Sequence, residues 1–221
     1  MGAFVYSNVT FDDGTTQTTK FDSTVEGGEL LSVRQFTTVG NSTWTRPDGC
    51  KKVIVKVVGG GGGSAGYQES GGAGGYAERI VDVTNISTAT VTVGAGGGAV
   101  GYYAAGGDGG TSSFGTHVSA SGGRGANTGW AHTGGAGGVG SNGSINLNGG
   151  MGTGHGNSMA HGVLGRGGDT YFGGAMATNR NNGGGTGGGA PGTGGSGGRT
   201  NDNAGGGASG NSGAVYIWEY K

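Results

Sequence analysis

The chain has little of most things that stabilise a domain. Only one of its 221 residues is cysteine, Cys50, which excludes an intrachain disulfide framework. No ligand or nucleophile pattern surrounds that thiol, and it reads as incidental, just ahead of a strand. Two prolines against 63 glycines exclude a collagen triple helix, which needs an unbroken, proline-rich Gly-X-Y register. Charged residues make up 11%, the formal net charge is −1, and Lys and Arg are not clustered. Binding driven by nucleic-acid phosphates or by an anionic membrane is therefore not expected. Sparse charge and proline also set the chain apart from most disordered sequences. No run reaches the roughly 18 apolar residues of a membrane span, so no membrane insertion is expected. No basic-then-apolar stretch opens the chain, which implies synthesis in a cytoplasm without a signal peptide. Hydrophobic residues are 31%, against roughly 45–50% apolar content in an ordinary domain. Backbone hydrogen bonds, not a large aliphatic core, must then carry much of any order.

What the chain has is glycine. All but six of the 63 lie between Gly59 and Gly213. Such a tract can be a flexible linker, a low-complexity tail or a packed array. Its flanks favour the array. Lys52 to Val58 (KVIVKVV) is the clearest strand, and Ala214 to Tyr220 (AVYIWEY) closes the chain with Tyr216, Trp218 and Tyr220 on one side. If both strands belong to one sheet, the tract leaves that sheet and returns to it.

Further strands are expected at Tyr76 to Val83 and Ala89 to Val93, with short pieces at Thr111 to Phe114 and His117 to Ser121. Pro47-Asp48-Gly49 is a strong turn. At the other end, Phe4 to Phe11 and Thr15 to Thr19 flank the turn signal Asp13-Gly14, which fits a short hairpin or extended arm. Glu29 to Gln35 suits either a brief helix or a strand. No helical period of any length occurs. The fold class is mainly β: a small sheet or sandwich framing a glycine-rich domain, with a short N-terminal β arm and essentially no α-helix. The domains divide at residues 1–35, the arm, and 36–221, the glycine-rich domain.

Within the tract, GGAGG at Gly71 to Gly75, GGDGG at Gly106 to Gly110, GGAGGVG at Gly134 to Gly140 and GTGGSGG at Gly192 to Gly198 repeat every three residues. Three residues per turn is the period of an extended left-handed helix with no internal hydrogen bonds. Two glycines per turn leave two bare edges along which neighbours can approach and hydrogen-bond, with the third residue facing outward. Packed polyglycine II-type helices and loops are thus expected. Ordering glycine costs about 0.5–1 kcal/mol per residue relative to Ala. Only a dense lattice, with about 1 kcal/mol net per bond, can offset that.

The order of these motifs resembles a known family. Phe11 to Thr18 (FDDGTTQT) is similar to the D-G-T-x-Q-T segments of bacteriophage tail-fibre proteins. Trp44 to Pro47 (W-x-x-P) followed by KVIVKVVGGGGG resembles the opening of the glycine-rich domain in phage and prophage tail fibres, and GNSGAVYIWEY resembles its closing strand. Fibre-tip adhesins of some T-even-like phages also pack polyglycine II helices and touch the host receptor with loops at their ends. The resemblance implies a virion tail-fibre protein that recognises a polysaccharide or outer-membrane protein on a bacterial surface. It further implies a homotrimer joined to other tail or baseplate proteins through residues 1–35.

The inserts between glycine triplets are where recognition is expected. Tyr102, Tyr103, Trp130, His132, Tyr171 and Phe172 are the receptor-binding candidates, because aromatic rings stack on sugar faces and His supplies hydrogen bonds. The competing reading has these rings capping the glycine layers or packing in a trimer seam. Gly60-x-Gly62-x-x-Ala65 matches a dinucleotide fingerprint only formally, since no helix pattern follows it. His117, His132, His155 and His161 are irregularly spaced with no cysteine or carboxylate pair beside them, so no metal site is expected. Neither a catalytic constellation nor a cofactor motif is present, and an enzyme is not expected. The alternative to an adhesin is a purely structural glycine-helix module, such as a spacer or an ice-binding-like protein.

Overall fold

A computed structural model describes residues 9–10, 16–17, 28–65, 69–100, 104–127, 133–154, 165–177, 189–198 and 207–221. Among these, the fold is all-β. Strands β1 (Val9–Thr10) and β2 (Thr16–Gln17) pair antiparallel, as the Asp13-Gly14 turn signal implies. Ten more strands follow: β3 (Leu30–Phe36), β4 (Gly40–Thr45), β5 (Lys52–Val58), β6 (Tyr76–Asp82), β7 (Thr88–Val93), β8 (Ser112–Phe114), β9 (Val118–Ala120), β10 (Gly140–Ser141), β11 (Ile145–Leu147) and β12 (Ala214–Tyr220). They form two five-stranded antiparallel sheets with orders β10-β9-β8-β7-β4 and β11-β6-β5-β12-β3. The two strands that bracket the glycine tract are neighbours, with Val57 opposite Val215 and Val55 opposite Ile217. The ambiguous segment before Phe36 is an edge strand of the second sheet, paired with β12.

Period-two alternation decides what lies between the sheets. Val53, Val55 and Val57 of β5 and Val215 and Ile217 of β12 point inward, where they meet Trp44, Val91, Val93, Phe114 and Val118 of the first sheet. Trp44 sits edge-on to Phe114, with ring centroids 5.4 Å apart. The same inward face of β12 carries a carboxylate, Glu219, with no exposed surface. Trp44 Nε1 donates to it at 2.6 Å, Ser32 Oγ donates to its second oxygen, and Arg34 Nε lies 3.0 Å away. A buried charge is tolerated only with such partners. These three come from β3 and β4, so one side chain ties both edge strands to β12. At the turn before β5, the Cys50 N–H closes onto the Pro47 carbonyl at 3.1 Å and Gly49 takes φ 76°, a left-handed conformation that favours glycine.

The glycine tract continues the sandwich from one end. Among the described residues it comprises ten segments: 59–65, 69–75, 94–100, 104–110, 121–127, 133–139, 148–154, 165–169, 192–198 and 207–213. None is a helix or a strand of a sheet, yet their backbone bonds follow a strict three-residue rule. Gly59, Gly62 and Ala65 donate to the segment 69–75; Gly60 and Gly63 donate to 104–110; Gly61 and Ser64 donate to 207–213. In the same way Gly71 and Gly74 donate to 192–198, Gly72 and Gly75 to 121–127, and Ser70 and Ala73 to 148–154. Counting carbonyls as well, 59–65 and 69–75 each bond to six neighbours, and the other eight segments bond to one another in a closed ring around the pair. The N–H groups of 59–65 and 70–75 and the carbonyls of 60–64 and 69–73 therefore find backbone partners without a sheet.

Close approach is what glycine supplies here. A Cβ on Gly62 would fall on the backbone of Arg124 and Gly125, and one on Gly74 would fall on the Gly59 carbonyl. The third residue of a triplet does not always face outward, as the triplet pattern alone implied. Asp108, Arg124 and Ala136, on ring segments, are exposed, whereas Ala73 on an inner segment and Thr193 and Ser196 on a ring segment are buried. An inner segment has neighbours on all sides, so its third residue has no outside to face.

The strand directions give the molecule two ends. β5, β7, β9 and β11 all run into glycine segments, and β6, β8, β10 and β12 all return from them. The opposite end holds the turns at residues 46–51, 83–87 and 115–117. It also holds the entry into β3, where the Lys221 N–H donates to the Glu29 carbonyl at 3.0 Å.

Candidate functional site

The six residues singled out from sequence divide. Tyr102, Tyr103, Trp130 and His132 lie outside the described residues. Their neighbours in sequence do not: Val100, Asn127 and Thr133 are at the lattice end remote from the sandwich, together with Ala65 and Glu69. Tyr171 and Phe172 sit elsewhere. Segment 165–169 runs back toward the sandwich, and the Thr170–Gly173 bridge turns the chain so that both rings rest on the outer face of the second sheet. The sequence placed them with the other inserts because they too interrupt the glycines. The structure puts them at the junction of lattice and sandwich.

There they complete a strip of rings. Tyr171 lies nearly parallel to Tyr76, with centroids 4.0 Å apart and 18° between planes. Phe172 meets Tyr171 edge-on at 5.4 Å and Tyr216 at 5.1 Å, and Tyr216 lies 6.4 Å from Trp218. The strand pattern explains the lower part: Tyr216 and Trp218 alternate with the inward Val215, Ile217 and Glu219. Lys56 Nζ sits 4.9 Å above the Trp218 ring and 3.5 Å from Glu78 Oε2, and the Tyr76 hydroxyl donates to the same oxygen at 2.6 Å. Burial of Tyr76 and the neighbouring Glu78 carboxylate push its phenol pKa upward, so it stays a donor. Tyr76 is 2% exposed and Tyr171 56%, so one ring is the fixed floor and the other the open surface. Sequence reasoning saw the Tyr216, Trp218 and Tyr220 side of β12, but nothing in it paired that side with a turn some forty residues earlier.

Other chemistry-bearing groups are quieter. The Cys50 thiol is 1% exposed, donates to the Lys52 carbonyl at 3.6 Å, and has its pKa pushed up by burial, which suits an inert thiol. A groove of about 310 Å³ lies beside it, lined by Arg46, Asp48, Lys51, Thr84 and Ser87 at the end away from the lattice. Glu69, 2% exposed at the remote end of the lattice, has its pKa raised by burial to about 7. His117 packs on Phe114, with centroids 5.9 Å apart; His132, His155 and His161 lie outside the described residues. Among the described residues no group of three or more His, Cys, Asp or Glu side chains could hold a metal ion. No helix among them is long and apolar enough to cross a membrane.

A family model described as a glycine-rich domain matches residues 37–220, and the chain belongs to that family. The match takes in both sheets from the β3–β4 turn onward together with the whole lattice. No curated protein matches the sequence.

Proposed function

From its membership of the glycine-rich domain family, we propose that the chain is a bacteriophage tail-fibre or fibre-tip adhesin that recognises a receptor on the bacterial surface. Residues 1–35 join it to other virion proteins, the copies assemble as a homotrimer, and the protein has no catalytic role. The lattice segments are read as polyglycine II-type helices, a reading supported by the three-residue hydrogen-bond period. Receptor contact is assigned to the end remote from the sandwich, through Tyr102, Tyr103, Trp130 and His132.

The observation that carries this reading is the polarity of the molecule. The entry to β3 and the turns at 46–51, 83–87 and 115–117 gather at one end. The inserts at 66–68, 101–103, 128–132, 155–164 and 199–206 each connect, in sequence, two segments whose described ends lie at the other. A hydrogen-bonded lattice whose described segment ends gather at one end is a scaffold suited to recognition. The test is adsorption. The purified protein is expected to bind host cells and to block phage attachment, and failure of both would remove the proposal.

A structural spacer is the second reading, favoured by the closed ring of eight described segments around two, held by backbone bonds from segment to segment. Replacing Tyr102, Tyr103 and Trp130 together by Ala decides between them. Unchanged adsorption with unchanged thermal stability would leave the spacer.

A further inference from the structure

The ring strip at the junction lies a lattice's length from the end assigned to the receptor. We propose that Tyr171, Phe172, Tyr216 and Trp218 bind an uncharged oligosaccharide chain along the outer face of the second sheet. The proposal rests on the host-recognition reading only for the biological source of the sugar; the site itself is argued from its own geometry.

Three features point to this ligand. First, Tyr171 is 56% exposed and is held flat against Tyr76, whose hydroxyl is fixed on Glu78, so one face of an aromatic ring is offered to solvent in a set orientation. A ring fixed in this way needs little ordering on binding, and the apolar face of a pyranose matches it. Second, the rings do not stop at Tyr171. They continue through Phe172, Tyr216 and Trp218, each half-buried and inclined to the ring before it by 85°, 57° and 48°, so ring edges and partial faces extend the strip beyond the length of one sugar. Third, the charged groups beside the rings cancel: Lys56 and Glu78 face each other at 3.5 Å. They leave donors and acceptors for hydroxyl groups but no net charge for a sulfated or carboxylated glycan. A purely apolar partner would leave that pair to be desolvated without replacement, which disfavours it.

The experiment is an array of uncharged oligosaccharides of glucose, galactose, mannose and N-acetylhexosamines, with sulfated and sialylated chains alongside. The full chain is applied, and the best uncharged ligand is titrated by calorimetry. Retention of uncharged chains is expected. Tyr171→Ala and Trp218→Ala should each weaken binding about tenfold with the folded far-UV spectrum retained and Tm somewhat lowered, and Tyr171→Phe, which keeps the ring, should stay within about threefold. Thr43→Ala, on the exposed face of the first sheet, should bind the array like the unmodified protein. The inference falls if no uncharged chain is retained, if only anionic chains bind, or if both alanine variants titrate normally. Should one alanine variant fail to fold, the other together with Tyr171→Phe still decides. Host-cell adsorption that persists while the array stays empty would sink this site and leave the adhesin reading standing. Array binding without adsorption would do the reverse.

Discussion

The sandwich and the lattice solve the same problem by opposite means. Between the sheets, side chains do the packing: Val53, Val55, Val57, Ile217, Trp44 and Phe114 interlock, and backbone bonds run only sideways within each sheet. In the lattice the backbone does the packing. Segments 59–65 and 69–75 bond in every direction around their axes, and side chains are excluded where neighbours touch. The lesson concerns tolerance. A side-chain core forgives the loss of a methyl group better than a backbone lattice forgives the gain of one.

That contrast is broken or sharpened most directly by a matched pair. Gly62→Ala puts a Cβ onto the Arg124–Gly125 backbone, with no flexible atom to give way. It is expected to cost at least about 3 kcal/mol, beyond the usual overpacking range, or to prevent folding. Val55→Ala removes two methyl groups from a fully buried site between the sheets and is expected to cost about 2 kcal/mol. Chemical denaturation of both variants measures the difference. Equal losses would mean that the lattice relaxes like an ordinary core.

A pH profile tests the lattice side next. Burial at the remote end of the lattice drives Glu69 upward to about 7. The folded-state pKa of Glu69 thus lies above its unfolded value, so the folded form favours the proton. Its contribution to stability is fully present below about pH 4.5 and is lost as pH rises through 7, a swing of up to about 3 kcal/mol. Glu69→Gln should flatten the stability profile between pH 5 and 7.5 relative to the unmodified chain. A profile that keeps its slope in the variant would assign the effect to another group.

How far each region was legible in the sequence follows from the same contrast. Strands β5, β7 and β12 could be read because side-chain alternation is local, and Val53, Val55 and Val57 share a face whatever surrounds them. The three-residue period was legible for a similar reason. Partners were not. Glu219 reads as one more polar residue in AVYIWEY until Trp44, 175 positions away, donates to it. Nor does GGAGG announce whether it is an inner or a ring segment, which is why Ala73 is buried while Ala136, in the same motif, is exposed. Tyr171 and Tyr76 come together only through a lattice whose order the glycines themselves do not encode.

The smallest expected effect is the most discriminating. Gly98 belongs to ring segment 94–100, its carbonyl accepts from the Gly107 N–H at 2.9 Å, and a Cβ built on it meets nothing within 4 Å. Gly98→Ala therefore keeps the hydrogen bond, makes no clash and removes some freedom from the unfolded chain. A change within about 0.5 kcal/mol, on the stabilising side, is expected by thermal or denaturant unfolding. Set beside Gly62→Ala, it asks why the tract is glycine at all. If both substitutions were costly, the backbone shape itself would reject a side chain, and inner and ring positions would be alike. If only Gly62→Ala is, the requirement is steric and local, and the ring can accept other residues wherever it faces outward. Asp108, Arg124 and Ala136 already occupy such positions, which favours the second outcome.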